Sequence, residues 1–361
     1  MPNIQDYVLW RGDLPIRQVP LCDVDALLLS YLSYMRYGGI VGDSFEGEGV
    51  RLADAAQELL DRNERDKMPL AYNAKEDRKL LAALIQSVRF ADMRLVGYVN
   101  QVDDKAEEQF SGVTFLIGDG SAFVAFRGTD DAMVGWKEDF NMSFETEVPA
   151  QRDAVAYAQR VAAAIDLPLI VGGHSKGGNL AAYAGMFVDE ATRARIQTVY
   201  NFDGPGFNEA TISSEAFGKV DMRIRTFVPQ SSMIGILMWH REPFTIVRSN
   251  GVGVFQHDAY TWQILGGGFM TLTERTGHSH FADDTIKRWL EELSPDMRRQ
   301  AIDGIYAVLS ASGGMNVSEL FEARNTMSVL KAAGAMDEKT KSAVLEAFRL
   351  LGSSMIGGVP A

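Results

Sequence analysis

A serine lies among glycines in Gly173-His174-Ser175-Lys176-Gly177-Gly178, directly behind the apolar run Leu169-Ile170-Val171-Gly172 and ahead of the helix-forming Asn179-Leu180-Ala181-Ala182-Tyr183-Ala184. A buried strand that reverses sharply into a helix needs small residues at positions 173 and 177, because side chains there would collide across the turn. The reversal pushes the Ser175 hydroxyl outward to where a substrate carbonyl can reach it. It also leaves the Lys176 backbone N–H at the helix start, aimed at a developing oxyanion. The pattern is a nucleophile elbow, and its chemistry is acyl transfer. Gly-x-Ser-x-Gly is short and recurs by chance, so the strand before it and the helix after it carry the weight.

A serine hydroxyl is a weak nucleophile at neutral pH; it needs a base, and the base needs an orienting acid. The chain has five histidines. His174 flanks the nucleophile with its side chain directed away from the hydroxyl, which assigns it to packing. His240 follows the apolar stretch 233–239 and reads as a surface or pocket-rim residue. His278 and His280 have the spacing of a metal pair, but no matching cysteine or carboxylate set accompanies them, so no metal is expected. His257, in Val254-Phe255-Gln256-His257-Asp258, follows the last expected strand, where this architecture places its base. Asp203, in Phe202-Asp203-Gly204-Pro205-Gly206, stands at a strand's C-terminal end, the edge where catalytic groups of open α/β sheets collect. Taken singly, Asp203 is equally a turn-forming Asx residue and His257 a buried, hydrogen-bonded imidazole. Taken together, Ser175, Asp203 and His257 follow the chain order of α/β-hydrolase triads. Asp258 competes as the acid, but an adjacent residue seldom reaches its neighbour's ring nitrogen.

Ahead of the elbow, the strand 122–126 runs into Arg127-Gly128-Thr129-Asp130-Asp131. The loop after such a strand supplies the second oxyanion donor. The Thr129 or Asp130 N–H is the candidate, with the Thr129 hydroxyl as a further donor; a plain polar turn is the alternative. Arg127 and Asp139 read as an ion pair or loop brace, since acyl chemistry requires neither. The stretch 233–239, with Met233, Leu237 and Trp239, suits the lining of an acyl pocket or a lid, because methionine and aromatic side chains adapt to chains of varied length. Core packing accounts for it equally well.

Elements able to hold these groups follow from periodicity. Apolar residues at helical spacing predict helices over about 23–37, 52–63 and 75–87, and another over about 150–165. Short β-prone runs at 95–101, 113–117, 122–126, 198–202, 223–228 and 244–247 alternate with helices beyond residue 122, which predicts a mostly parallel sheet; the runs 113–117 and 122–126 flank Gly118-Asp119-Gly120 as a hairpin. Past about residue 285 only helical patterning remains.

The chain of 361 residues, 46% hydrophobic and 10% aromatic, has an ordinary globular composition. A net charge of −13 without an offsetting basic patch argues against nucleic-acid binding and against anionic membranes. The single cysteine, Cys22, excludes an intramolecular disulfide and suits a reducing cytoplasm. No basic stretch followed by an apolar run marks a signal peptide, and no apolar stretch is long enough to span a bilayer.

Arg127-Gly128-Thr129 with Trp136 and Asp139, followed by Gly173-His174-Ser175-Lys176-Gly177-Gly178, resembles the class 3 lipases over about the middle third of the chain. Those enzymes carry Arg-Gly-Thr and Gly-His-Ser-Leu-Gly-Gly. A broader set of motifs is similar to the bacterial domain-of-unknown-function family numbered 2974 across most of residues 3–265. It comprises Asp6-Tyr7 with Trp10-Arg11-Gly12-Asp13-Leu14, Phe202-Asp203-Gly204-Pro205-Gly206-Phe207, Val228-Pro229-Gln230-Ser231-Ser232 and Gln256-His257-Asp258. That family is α/β-hydrolase-like and brings no settled substrate. Two departures stand out. Class 3 lipases take their acid near a Val-Pro motif where this chain has Gln230, Ser231 and Ser232, which leaves Asp203, similar in placement to the acid of pancreatic-type lipases. Lys176 replaces the lipase leucine and puts a charge beside the site.

The expectation is an α/β-hydrolase fold with a mostly parallel central sheet flanked by helices: a helical part over 1–90, the core over 91–284 and a helical extension over 285–361. The expected activity is a cofactor-free serine hydrolase acting on small carboxylic esters, lipid-like ones included. Ser175, His257 and Asp203 form its triad, and Thr129 and Lys176 its oxyanion hole. A non-catalytic scaffold that binds a ligand or partner is the alternative, as is a thioesterase or acyltransferase using the same triad.

Overall fold

Residues of the strand Ala122–Phe126 (β4) point alternately into two separate cores: Phe123 and Ala125 into one, Ala122, Val124 and Phe126 into the other. A computed structural model of the chain describes residues 1–279, apart from 68, 72, 104, 106, 131–134, 136, 139–140, 143–144, 146 and 278. The expected extension over 285–361 lies outside the described residues, as do Trp136, Asp139, His278 and His280.

Eight strands lie side by side in chain order: Val50–Arg51 (β1), Arg94–Asp103 (β2), Glu108–Leu116 (β3), β4, Leu169–His174 (β5), Ile196–Phe202 (β6), Ile224–Pro229 (β7) and Phe244–Val247 (β8). Strands β4 to β8 pair in parallel. The run from β1 to β4 is antiparallel. Ile264–Leu265 (β9) and Gly268–Phe269 (β10) form a small hairpin, and Thr271–Leu272 (β11) pairs antiparallel with the outer edge of β8. Parallel neighbours require crossovers, and helices Pro149–Ala164 and Lys176–Phe187 supply the two that flank β5.

Each face of the sheet is covered. Helices Ile4–Arg11, Asp23–Leu32, Leu52–Asp66 and Ala74–Ile85 cover one face, where Leu27, Leu28 and Tyr31 share a core with Phe115, Phe123, Ile170 and Tyr200. On the other, Ala154, Tyr157 and Val161 with Leu180, Ala181 and Ala184 pack on Val124, Val171 and Val199. The small residues of Lys176–Phe187 let that helix lie close to the strands. This is the α/β-hydrolase architecture, with the parallel strands at its centre. Among the described residues no helix is long and apolar enough to cross a membrane.

Local chemistry explains where the elements depart from periodicity. The expected helix over 23–37 stops at Leu32, because the Ser33 hydroxyl takes the Ser30 carbonyl at 2.7 Å. Helix Ile4–Arg11 carries no clean apolar stripe, since Leu9 and Trp10 are exposed; it starts on a capping box between Asn3 and Asp6. Strand β3 begins at Glu108, before the expected 113, and its early residues pair with the end of β2.

Candidate active site

Strand β5 ends at His174 and the next residue, Ser175, has φ 59° and ψ −137°. Holding a non-glycine residue there costs on the order of 1–3 kcal/mol, met by the packing around it. The packing is visible at the two glycines. A Cβ on Gly173 would lie 2.2 Å from the Gly177 carbonyl, and one on Gly177 would lie 2.1 Å from the Phe126 carbonyl oxygen. Only bare backbone lets β4, β5 and the following helix converge this closely. The Ser175 N–H donates to the Phe202 carbonyl at 2.9 Å, which ties the elbow to the end of β6, and its side chain does not cap the helix.

Asp203 follows β6 and also has a positive φ, 51°. Its carboxylate is buried, with a side-chain exposure of 1%, and each oxygen has a defined use. Oδ1 accepts from the Ser232 hydroxyl at 2.5 Å and from the Gly235 N–H at 3.1 Å. Oδ2 lies 2.7 Å from His257 Nδ1. The Nδ1 proton points at a carboxylate that cannot turn away, so Nε2 is the ring nitrogen left for proton transfer. The His257 side chain remains 27% exposed, so it faces open space on that side. Among the described residues Ser175 Oγ makes no hydrogen bond to the His257 ring. Such contacts often tighten only when substrate binds. Asp258 turns elsewhere and accepts the Tyr260 N–H at 2.9 Å.

His174 packs as expected, and it also supports His257. Its ring lies 4.5 Å from the His257 ring, centroid to centroid. Nε2–H donates to the His257 carbonyl at 2.8 Å, and the Tyr34 hydroxyl lies 3.1 Å from Nδ1. A carbonyl can only accept, which fixes the Nε2–H tautomer and makes Nδ1 an acceptor. Burial, and then the neighbouring His257 ring, hold the His174 pKa well below its ordinary value, so the residue is neutral. The turn Gly253–His257 is secured from several sides. Trp262 Nε1 donates to the Gln256 carbonyl at 2.9 Å, the Gln256 side chain accepts the Ser231 N–H at 3.0 Å, and Tyr260 and Tyr31 both donate to Asp77 Oδ1, at 2.9 and 2.8 Å. Asn3 reaches the Tyr260 carbonyl at 3.1 Å, and the Ile264 N–H donates to the Pro2 carbonyl at 2.9 Å. Val252, just before this turn, and Phe255, on it, are exposed by 68% and 63%.

A Cβ on Gly128 would lie 2.8 Å from Ser175 Cβ, so the loop after β4, where the second oxyanion donor is expected, runs directly beside Ser175. Of the two N–H groups expected to serve, that of Asp130 already donates to Gln109 Oε1 at 3.2 Å. Thr129 is buried between it and Gly128. Lys176 begins the helix after the elbow. Its ammonium does not face the site as a charge: it is buried and paired with Glu138 Oε2 at 2.8 Å, and it donates to the Gln109 carbonyl at 2.9 Å. Arg127, expected as a brace, lies 3.7 Å from Asp130.

The remaining sequence candidates fall nearby. Met233, Leu237 and Trp239 sit half-buried on the segment that carries Ser232 and Gly235, and Trp239 packs beside Met142, Val148 and Met238. His240 is not a rim residue: its imidazole is buried, with Nδ1 3.0 Å from Glu242, which also accepts the Thr226 hydroxyl at 2.8 Å. Ser232, Gly235, Tyr34, Gln109 and Glu138 were not legible as site residues. They come from four separate segments, with Ser232 and Gly235 sharing one. Ser232 alone had a signal, since it occupies the place where the class 3 pattern puts an acid.

The profile of the Mbeg1-like family matches residues 84–307, more than half of the chain. No curated protein matches the chain in sequence. Among solved structures, a lipase II from Rhizopus niveus aligns at 14% identity with a TM-score of 0.35, covering 54% of this chain and 76% of that one. A lipase from Yarrowia lipolytica aligns at 10% identity with a TM-score of 0.39, covering 72% of this chain and 90% of that one. The propeptide complex of a Rhizomucor miehei lipase aligns at 11% identity with a TM-score of 0.35, covering 64% and 70%.

Proposed function

This chain belongs to the Mbeg1-like family, and we propose that it is a serine hydrolase that cleaves carboxylic esters, lipid-like ones included, through an acyl-enzyme. The observation that carries this reading is the Asp203–His257 pair, with a buried carboxylate saturated on one oxygen and committed to Nδ1 on the other, beside a serine held at an elbow. In the first step the Ser175 hydroxyl attacks the acyl carbon as His257 Nε2 takes its proton. The Lys176 and Thr129 N–H groups receive the oxyanion, and His257 passes the proton to the departing alcohol. Water then repeats the sequence in reverse roles and frees the acid. Asp203 keeps its charge throughout and stabilises the imidazolium.

Two features favour an apolar acyl group. Val252 and Phe255 stand exposed next to the base, and Met233, Leu237 and Trp239 line the segment over Asp203. The test is hydrolysis of p-nitrophenyl esters of graded chain length, with a fluorophosphonate probe to mark the nucleophile. The native protein should turn over esters and take up the label at Ser175, and Ser175→Ala should lose both. Undiminished hydrolysis by Ser175→Ala would refute the mechanism. A native protein that neither labels nor hydrolyses would point to the binding scaffold instead.

A further inference from the structure

We propose that Gln109 is the positioning residue of the oxyanion hole, setting the distance between its two N–H donors. The proposal rests on the hydrolase reading above. Gln109 lies on β3, 1% exposed, and touches neither the serine nor the base. Both of its amide atoms are spent on one residue of the oxyanion loop: Oε1 accepts the Asp130 N–H at 3.2 Å, and Nε2 donates to Asp130 Oδ1 at 2.5 Å. A two-point clamp of this kind fixes rotation as well as distance, so it orients the peptide that joins Thr129 to Asp130. That peptide is one link from the Thr129 N–H.

The backbone of the same residue holds the other wall. The Gln109 carbonyl accepts from Lys176 Nζ at 2.9 Å, and its N–H donates to Glu138 Oε2 at 3.0 Å. Glu138 in turn pairs with Lys176 at 2.8 Å and accepts the Ala150 N–H at 2.9 Å. Lys176 is the residue whose own N–H the proposed mechanism assigns to the oxyanion. Gln109 therefore grips the residue after the nucleophile with its main chain and the oxyanion loop with its side chain. Gly135 also comes close to the clamp: a Cβ there would lie 2.3 Å from Gln109 Oε1. An oxyanion donor acts only if it sits within hydrogen-bond distance of where the charge develops, so a clamp on its loop acts on the transition state and not on substrate binding.

The donor and acceptor pattern gives a sharp test. Gln109→Glu replaces Nε2–H with an acceptor facing the Asp130 carboxylate. Asp130→Asn keeps an amide oxygen that accepts from Nε2–H, and its NH2 turns to a carboxylate placed at position 109. Gln109→Glu alone therefore frustrates the clamp, whereas Gln109→Glu combined with Asp130→Asn restores an acceptor for the N–H and a donor for the carboxylate. In ester hydrolysis Gln109→Glu should lose at least about tenfold in kcat with KM within about twofold, and the double variant should recover to within about threefold of the native protein. A Gln109→Glu variant that keeps native kcat, or a double variant no better than it, would overturn the proposal. Asp130→Ala removes only the partly exposed end of the clamp and provides a reading if a single variant fails to fold: kcat several-fold lower at unchanged KM is expected, and native kcat overturns the proposal. A native protein without activity or labelling defeats the hydrolase reading itself, and that outcome is distinct from all of these.

Discussion

Replacing Asp203 with asparagine keeps the shape of the acid and removes only its charge and one acceptor, so its effect follows from the hydrogen bonds around it. With the amide oxygen in the place of Oδ1, the Ser232 hydroxyl and Gly235 N–H stay satisfied, and the amide nitrogen faces His257 Nδ1. A donor there forces the proton onto Nε2, and the base is lost; the same change in a protease triad lowers kcat about 10⁴-fold, equivalent to about 5.5 kcal/mol. The escape is an amide flip, which returns an acceptor to His257 but turns the NH2 toward two donors. Crowding buried donors costs about 1–3 kcal/mol, and at about 2 kcal/mol the flipped form is populated only about one part in 30. The expected loss in kcat for Asp203→Asn thus lies between about 30-fold and about 10⁴-fold, with KM little changed. Steady-state hydrolysis of a short p-nitrophenyl ester, with thermal melting as a check on folding, decides it. A folded variant that retains more than about a tenth of native kcat would show that Asp203 does not set the tautomer of the base.

Two further outcomes follow from buried charge. Lys176→Met strands the fully buried Glu138 carboxylate with only the Gln109 and Ala150 N–H groups, and should lower unfolding free energy in urea by about 3–5 kcal/mol, part of which returns when Glu138→Leu is added; a loss below about 1 kcal/mol would contradict the pairing. His174 titrates near 6.5 when unfolded and well below that when folded, so stability is undiminished above 6.5 and declines as pH falls through that value toward the folded pKa. His174→Gln should flatten the slope of urea stability against pH between about 6.5 and 5, and an unaltered slope would assign the decline to other groups.

The elbow and the parallel sheet are legible because each rests on a local demand: glycines where backbones nearly touch, and continuous apolar runs where both faces are covered. Asp203 is legible for a similar reason, as an aspartate at a strand end before Gly204-Pro205-Gly206. His257 is legible only by its place after β8, because nothing in its own neighbourhood distinguishes it from a packed histidine. The supports are not legible at all. Ser232 and Gly235 belong to a segment 29 and 32 residues beyond Asp203, and Gln109 lies 21 residues before Asp130, so only the closed fold reveals these partners. The burial of Lys176 shows the same limit from the other side. Its sequence neighbours place a charge beside the site, and a carboxylate 38 residues away draws that charge into the protein.

The bonds from Asn3 to Tyr260 and from Pro2 to Ile264 join segments some 257 residues apart in sequence, and they brace the segment that follows His257. During synthesis, Ser175 leaves the ribosome well before His257 exists. Even then, the segment after His257 gains these braces only when residues 2–3 have docked on residues 260–264, a contact whose long loop makes it late to form. On the hydrolase reading proposed above, a nascent or prematurely truncated chain would display a serine without an operative base, and the chemical competence of the elbow would arise as one of the last events of maturation.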